Sequence, residues 1–320
     1  MTSGPVERME HHQVAVYLAA MALGAVLGTA FPAAGPGLER AVNPVLGALL
    51  YVTFLQVPAA ALLRSLRGGR FLSAALVVNF AVVPLVVAAM FPFLPDDRAV
   101  RLGVLLVLLC PCVDYVIVFS GLAGGDSRRL LAATPVLLIV QMLLLPVYLL
   151  LFLGGGLGEV VAVGPFLRAF AFLIVTPLAL AWATQAWAAR RAAGRRAAAV
   201  AGAAMVPLMA ATLLVVVASQ LPRLGDSLSR IGAVIPVYLL FLVVMAFAGR
   251  AVARLLRLGA PAARAIVFTG ATRNSLVVLP LALALPPGLS AAAAAVVAQT
   301  LVEVLGMVAY VRLVPRLVPA

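Results

Sequence analysis

The amino-acid sequence predicts an all-α membrane protein with about ten transmembrane helices. Apolar residues make up 65% of the 320-residue chain and charged residues only 10%, whereas soluble domains have roughly a quarter of their residues charged. Apolar runs of roughly 20 residues, the length needed to cross a bilayer, follow one another with short gaps that contain glycine, proline and charged residues. Composition and spacing therefore both indicate a multi-pass protein.

Each candidate span is defined by its apolar run, with ends that are good to a few residues. The spans cover residues 14–31, 45–63, 71–93, 100–122, 130–153, 165–188, 197–219, 231–252, 262–285 and 291–311. The first run lacks an Ala-x-Ala-type cleavage site, so we expect a retained first helix and not a removed signal peptide.

Arginine is concentrated in alternate gaps between these spans, and the net charge is +13. The arginine-rich segments are the gaps 64–70, 124–129, 189–196 and 250–264 and the tail after residue 311. By the positive-inside rule these segments face the cytoplasm, which predicts a cell (plasma) membrane protein with both termini cytoplasmic. Because the positive charge is spread over short gaps, we expect contact with membrane lipid and no nucleic-acid partner.

Ten helices in one chain allow two repeats of five, residues 1–158 and 159–320. An odd number of helices per repeat means that the second repeat inserts upside down relative to the first. Inverted repeats of this kind are typical of secondary transporters, whose sites lie near the bilayer midplane where helices are interrupted. The predicted architecture therefore has broken helices 4 and 9 crossing near the midplane.

Polar interruptions occur at matching places in the two halves. The fourth span contains Pro111 and Asp114, and the ninth contains Gly270 and Asn274; Asp114 and Asn274 are 160 positions apart, half the length of the chain. Proline removes a backbone donor and clashes with the preceding turn, so Pro111 is expected to break its helix, and Gly270 marks the matching break. Broken backbone at membrane depth is tolerated only where it is buried in protein or lines a cavity.

Two charged residues lie beside these breaks. Asp114 and Arg273 would each cost about 2.5–3.5 kcal/mol at the centre of a membrane helix, so we expect them to face each other where the broken helices cross. A functional charge pair at a transport site is favoured, and a structural ion pair is the alternative. Glu303, in the tenth span, either joins this ionisable group or is satisfied by neighbouring helices.

The two cysteines, Cys110 and Cys112, flank Pro111. A disulfide across this spacing would be strained. We interpret Cys110 as a small apolar filler. Because Cys112 directly follows the helix-breaking proline, its thiol is expected to face the same cavity as Asp114 and to suit a soft, thiophilic solute.

The stretch from Cys110 to Ser120, with Gly124-Gly125-Asp126 after it, resembles the fourth-helix motif of arsenite-efflux carriers in the bile acid/sodium symporter superfamily. The Arg273-Asn274-Ser275 stretch resembles the ninth-helix motif of that superfamily, and the ten-span layout agrees. The resemblance implies that Cys112 is the thiol that arsenite carriers need. It also implies departures, because Thr269 and Arg273 occupy the places of a Glu and a Gln that help to hold sodium.

From the residues and the resemblance together we expect a proton-coupled exporter of arsenite or antimonite, with Asp114 as the ionisable group. Cys112, Asp114, Arg273, Asn274 and Ser275 are the expected substrate-binding residues. The alternative is an organic-anion (bile-acid-like) carrier, sodium- or proton-coupled, in which Arg273 is the counter-charge to a carboxylate or sulfonate.

An intramembrane enzyme is the competing class of protein. The only histidines, His11 and His12, lie in the N-terminal tail, and Asp114 is the only aspartate in a span. A serine–histidine hydrolase and a paired-aspartate protease both lack their residues, and a metal site lacks ligands. We therefore expect no enzymatic activity, no cofactor and no metal, and a small-molecule or metalloid solute as the partner.

Overall fold

A computed structural model describes residues 12–56, 69–113, 115–154, 175–224, 232–283 and 285–319. Within these ranges the chain forms fourteen α-helices and no β-strand. The helices are α1 Gln13–Ala30, α2 Gly35–Leu55, α3 Gly69–Val77, α4 Val83–Met90, α5 Arg98–Leu108, α6 Tyr115–Leu122, α7 Ser127–Leu153, α8 Thr176–Arg190, α9 Ala192–Ala203, α10 Met205–Leu224, α11 Ile235–Leu255, α12 Ala260–Ala271, α13 Ser275–Leu283 and α14 Ala291–Leu317.

The helices form two compact units, and each unit takes one segment from either predicted half of the chain. The first unit comprises Met1–Pro58 and Gly164–Leu228, and the second comprises Ala59–Val163 and Ser229–Ala320. These units are defined by packing, whereas the predicted repeats 1–158 and 159–320 are defined by symmetry. The units therefore do not test the repeats, and the division at residue 158 stays a prediction.

In the first unit, α10 packs along α1 and α2. Small residues allow α1 to approach closely, since a Cβ added at Gly24 would lie 2.7 Å from the Leu214 carbonyl oxygen and one at Gly28 would lie 2.6 Å from that of Ala218. The Tyr51 hydroxyl of α2 lies 2.9 Å from the Thr184 hydroxyl of α8. Close packing of small residues and hydrogen bonds between helices are the usual means of helix association in membranes.

In the second unit, α3 and α4 form one long helix that is interrupted by a π-helical turn, Val78–Val82. Pro84 lacks the N–H that would bond to the Phe80 carbonyl oxygen in an unbroken helix. The Tyr148 hydroxyl of α7 donates to that oxygen at 2.6 Å instead. The turn contains Asn79, which is fully buried and reaches the site described below.

Five helical segments within the described residues are long and apolar enough to cross a membrane. A sixth is obtained if α9 and α10, which meet at a 43° bend, form a single span. Helices occur in all ten predicted span positions, but several are short or interrupted. The chain is thus a nearly all-helical, multi-pass membrane protein, and its arrangement as ten spans in two inverted repeats stays a prediction.

Candidate functional site

Two interrupted helices of the second unit cross at their breaks. The first interruption separates α5 from α6, and the second, residues 272–274, separates α12 from α13. The two extended segments pair in antiparallel fashion at Pro111 and Arg273. The Cys112 amide donates to the Thr272 carbonyl oxygen at 3.1 Å, and the Asn274 amide donates to the Cys110 carbonyl oxygen at 2.8 Å.

These backbone bonds explain how a helix break survives in an apolar environment. A break frees N–H and C=O groups that water cannot reach in a membrane, and each unsatisfied group costs several kcal/mol. Here each break supplies partners to the other. Gly270 is the penultimate residue of α12, so the second interruption begins two residues later than Gly270, at Thr272.

The Arg273 side chain is completely buried at this crossing, with 0% exposure. Its Nη2 donates to the carbonyl oxygens of Thr269 at 2.6 Å and Gly270 at 2.7 Å, and to Asn79 Oδ1 at 2.8 Å. Its Nη1 donates to the Leu108 carbonyl oxygen at 3.3 Å. All four described acceptors are uncharged oxygens.

Asp114 lies outside the described residues, so its expected pairing with Arg273 stays a prediction. The two residues that flank it in the sequence, Val113 and Tyr115, are both buried. Asn79 was not among the expected site residues, but the structure makes it a direct hydrogen-bond partner of Arg273.

Glu303 of α14 is the carboxylate that the described structure brings to the crossing. It is 1% exposed. Its Oε1 accepts from the Tyr115 hydroxyl at 2.6 Å, and its Oε2 accepts from the Arg273 amide at 2.8 Å and from the Gln299 side chain. Both oxygens of the Glu303 side chain are therefore hydrogen-bonded within the protein.

Tyr115 and Gln299 were missed by sequence reasoning. Gln299 lies four residues before Glu303, so both polar side chains share one face of an otherwise apolar helix, a pattern that could have revealed it. Nothing in the sequence pairs Tyr115 with Glu303, because 188 residues separate them.

The remaining expected site residues lie at the same crossing. The side chains of Cys110 and Cys112 are buried, with 0% and 1% exposure, and neither cysteine forms a disulfide. Asn274 Oδ1 accepts from the Val277 amide at 3.2 Å at the start of α13, and Ser275 is the first, buried residue of that helix. Asn274 Nδ2 has no hydrogen-bond partner within the described ranges, and a buried orphan donor of this kind is a candidate contact for a solute.

Broken helices that cross inside an apolar helical unit, with buried ionisable and polar side chains at the crossing, define a secondary transporter of the membrane. A sequence model of the Sodium Bile acid symporter family matches residues 43–226, more than half of the chain. The chain therefore belongs to the sodium bile acid symporter family, whose members are transporters and not enzymes. No curated protein matches the chain.

The family match confirms the sequence-based resemblance at the level of the superfamily and implies a small-molecule solute. The matched range, residues 43–226, includes the first break. It ends before the second break, which contains Arg273. The family match therefore gives no role to Arg273 or Glu303, and their roles are inferred from the contacts that they make in this structure. Membership of the arsenite-carrier branch stays a prediction.

Proposed function

We propose that this chain is a proton-coupled exporter of arsenite or antimonite in the plasma membrane, with both termini in the cytoplasm. One observation carries the proposal. The backbone segment 272–274 is bonded on one side to the thiol-bearing segment at Cys112 and, through the Arg273 amide, to the carboxylate of Glu303. The backbone of the thiol-bearing residue Cys112 and the Glu303 carboxylate thus bond to the same short piece of chain.

The thiol suits a trivalent metalloid because soft sulfur ligands select soft, thiophilic solutes. Arsenite is the neutral hydroxide As(OH)₃ at pH 7. When the Cys112 thiol binds it, an As–S bond forms, one As–O bond breaks, and the thiol proton leaves with the hydroxyl group as water. Addition of water across the As–S bond reverses the step and releases the solute, with no change of oxidation state.

Coupling requires a group that takes up and releases a proton within the membrane, and carboxylates serve this purpose in transporters. Glu303 supports this role because it is a buried carboxyl group whose three donors lie beside the first break, in the second break and on α14. Asp114 is the second candidate carrier. The buried positive charge of Arg273 next to the crossing disfavours a free sodium ion there.

The organic-anion alternative needs a cation that is free to meet a carboxylate or sulfonate. Arg273 was its expected counter-charge, but both terminal nitrogens donate to protein oxygens. Breaking these bonds to bind an anion would leave buried carbonyl groups unsatisfied, at about 1–3 kcal/mol each. We therefore propose the metalloid as the substrate.

Accumulation of arsenite in everted membrane vesicles tests this proposal. Vesicles that contain the wild-type chain should accumulate arsenite, and Cys112→Ser should abolish accumulation while the matched control Cys110→Ser retains most of it. An organic anion such as taurocholate should neither be accumulated nor compete. Taurocholate transport that is unaffected by Cys112→Ser would contradict the proposed substrate.

A further inference from the structure

The turn between α8 and α9 concentrates positive charge in the first unit. Four arginines lie close together there, and all four side chains are exposed: Arg190, Arg191, Arg195 and Arg196. The first is the last residue of α8, the second joins the two helices in an extended conformation, and the other two lie near the start of α9. We name these four residues the arginine turn.

Close packing of the two helices holds these charges near one another. Gly194 is buried against the end of α8, where an added Cβ would lie 2.7 Å from the Ala188 amide nitrogen. The Arg195 amide donates to the Arg191 carbonyl oxygen at 3.2 Å, so these two arginines are neighbours on one helix face. Like charges at this spacing destabilise a helix, and positive charge at a helix N-terminus is also unfavourable. The arginine charges therefore do not stabilise α9.

The described part of the protein supplies no counter-charge to the arginine turn. No acidic residue occurs in the sequence between Glu159 and Asp226. Within the described ranges, none of the four arginine side chains forms an ion pair or a hydrogen bond. Arginines of other gaps do have partners, since Arg129 lies 3.1 Å from Asp126 and the Arg264 guanidinium donates to two carbonyl oxygens. The arginine turn is thus open to an anion from outside the chain.

An exposed apolar stripe leads along α8 to the arginine turn. Leu180, Ala183 and Trp187 are all exposed, and their spacing of three and four residues places them on one helix face. Arg190 continues the same face. Tryptophan is enriched where a membrane helix reaches the level of the lipid headgroups. The stripe therefore presents hydrocarbon, then an indole ring, then positive charge, which is the order that matches the acyl chain and the phosphate of a phospholipid.

We infer that the arginine turn and the stripe from Leu180 to Trp187 form a binding site for an anionic phospholipid. Its phosphate binds the guanidinium groups, which suit phosphate oxygens because they can donate in pairs, and an acyl chain lies along α8. Basic clusters directly beside a membrane helix attract anionic lipids in this way. A free phosphate ion would use the arginines but not the stripe. The inference goes beyond the proposed function, since it concerns neither the solute nor the coupling ion.

The intrinsic fluorescence of the protein reports on this site, because the only two tryptophans of the chain, Trp182 and Trp187, both lie in α8. The full chain is reconstituted in bilayers of phosphatidylglycerol and phosphatidylcholine, with brominated acyl chains on one of the two lipids at a time. Bromine quenches tryptophan fluorescence at contact, so the two quenching levels give the relative affinity of the site for each lipid. We expect a preference for phosphatidylglycerol of about tenfold or more at low salt, and a weaker preference at high salt.

Paired substitutions test the arginines. Arg190→Gln/Arg191→Gln and Arg195→Gln/Arg196→Gln each remove two charges and leave two, which preserves positive charge on this side of the membrane. The preference for phosphatidylglycerol should fall several-fold in each pair. Arg195→Lys/Arg196→Lys keeps the charge and should retain most of the preference. All four side chains are exposed, so each variant should keep the wild-type Tm, and either glutamine pair alone is sufficient for the test.

Arg312→Gln/Arg316→Gln is the matched control, because it removes two exposed arginines from α14 in the second unit and should leave the preference unchanged. Equal quenching by the two brominated lipids in the wild type would overturn the inference. An equal loss of preference in the control would also overturn it, because the protein would then respond to net charge and not to a local site. Loss of the preference on addition of inorganic phosphate at constant ionic strength would show that the arginines bind a free anion and not a lipid.

Discussion

Two substitutions of Glu303, by glutamine and by alanine, distinguish its structural role from its proposed role in proton coupling. In Glu303→Gln one carboxylate oxygen becomes an amide group while the shape is kept. The remaining oxygen can still accept from the Arg273 amide and Gln299, and the new NH₂ group can donate to the Tyr115 hydroxyl oxygen. The Tyr115 proton then turns to the Arg273 carbonyl oxygen, which already lies 3.4 Å from the hydroxyl.

The expected stability changes follow from this count of hydrogen bonds. Glu303→Gln keeps every buried donor paired, so its free energy of unfolding should change by less than about 1 kcal/mol. Glu303→Ala leaves the Arg273 amide and the Gln299 side chain without acceptors. At about 1–3 kcal/mol for each orphaned donor, the alanine variant should lose about 2–6 kcal/mol.

Glu303→Gln should lose proton-coupled transport even though its fold is preserved. Glu303→Gln cannot release a proton, so proton-driven accumulation of arsenite in everted vesicles should be lost. Exchange of labelled for unlabelled arsenite, which moves no net proton, should persist. Full proton-driven accumulation by Glu303→Gln would refute the assignment and transfer the coupling proton to Asp114.

Three further predictions concern the thiols, a π-turn contact and the topology. Cys112→Ser should abolish arsenite transport and Cys110→Ser should leave most of it; equal loss in vesicle assays would indicate a two-thiol site. Tyr148→Phe removes the donor to the π-helical turn and should cost about 1 kcal/mol, measured as a Tm decrease of about 2–4 °C in detergent. A cysteine reporter at Arg191 should be shielded from impermeant thiol reagents in intact cells, and one at Gly288 should be labelled. Labelling at Arg191 would rule out the ten-span topology.

The positions of the helix breaks could be predicted because they depend on local chemistry. Pro111 lacks a backbone donor whatever its surroundings, and the polar cluster that begins after Gly270 is conspicuous in an apolar run. The structure places both interruptions within a few residues of these positions. Their antiparallel backbone pairing is not a local property and could not be derived from either segment alone.

The partners of the buried charges could not be predicted for a different reason. Sequence reasoning paired Arg273 with the nearest intramembrane charge in the matching break, because opposite charges offset the cost of burial. That pairing stays a prediction, because Asp114 lies outside the described residues. The described acceptors are backbone carbonyl groups and Asn79, and a hydropathy profile does not reveal them. The π-helical turn that brings Asn79 to the site likewise has no reliable sequence pattern, and Pro84 beside it indicates only an irregularity.

The coupling ion is the central claim, and it is tested most directly with the purified chain in proteoliposomes. Arsenite accumulation would be measured as arsenic content under an acidic-inside pH gradient, and separately under an imposed sodium gradient at equal pH. The account predicts accumulation driven by the pH gradient, abolished by a protonophore and unchanged when choline replaces sodium. Accumulation that requires the sodium gradient and ignores the protonophore would contradict it.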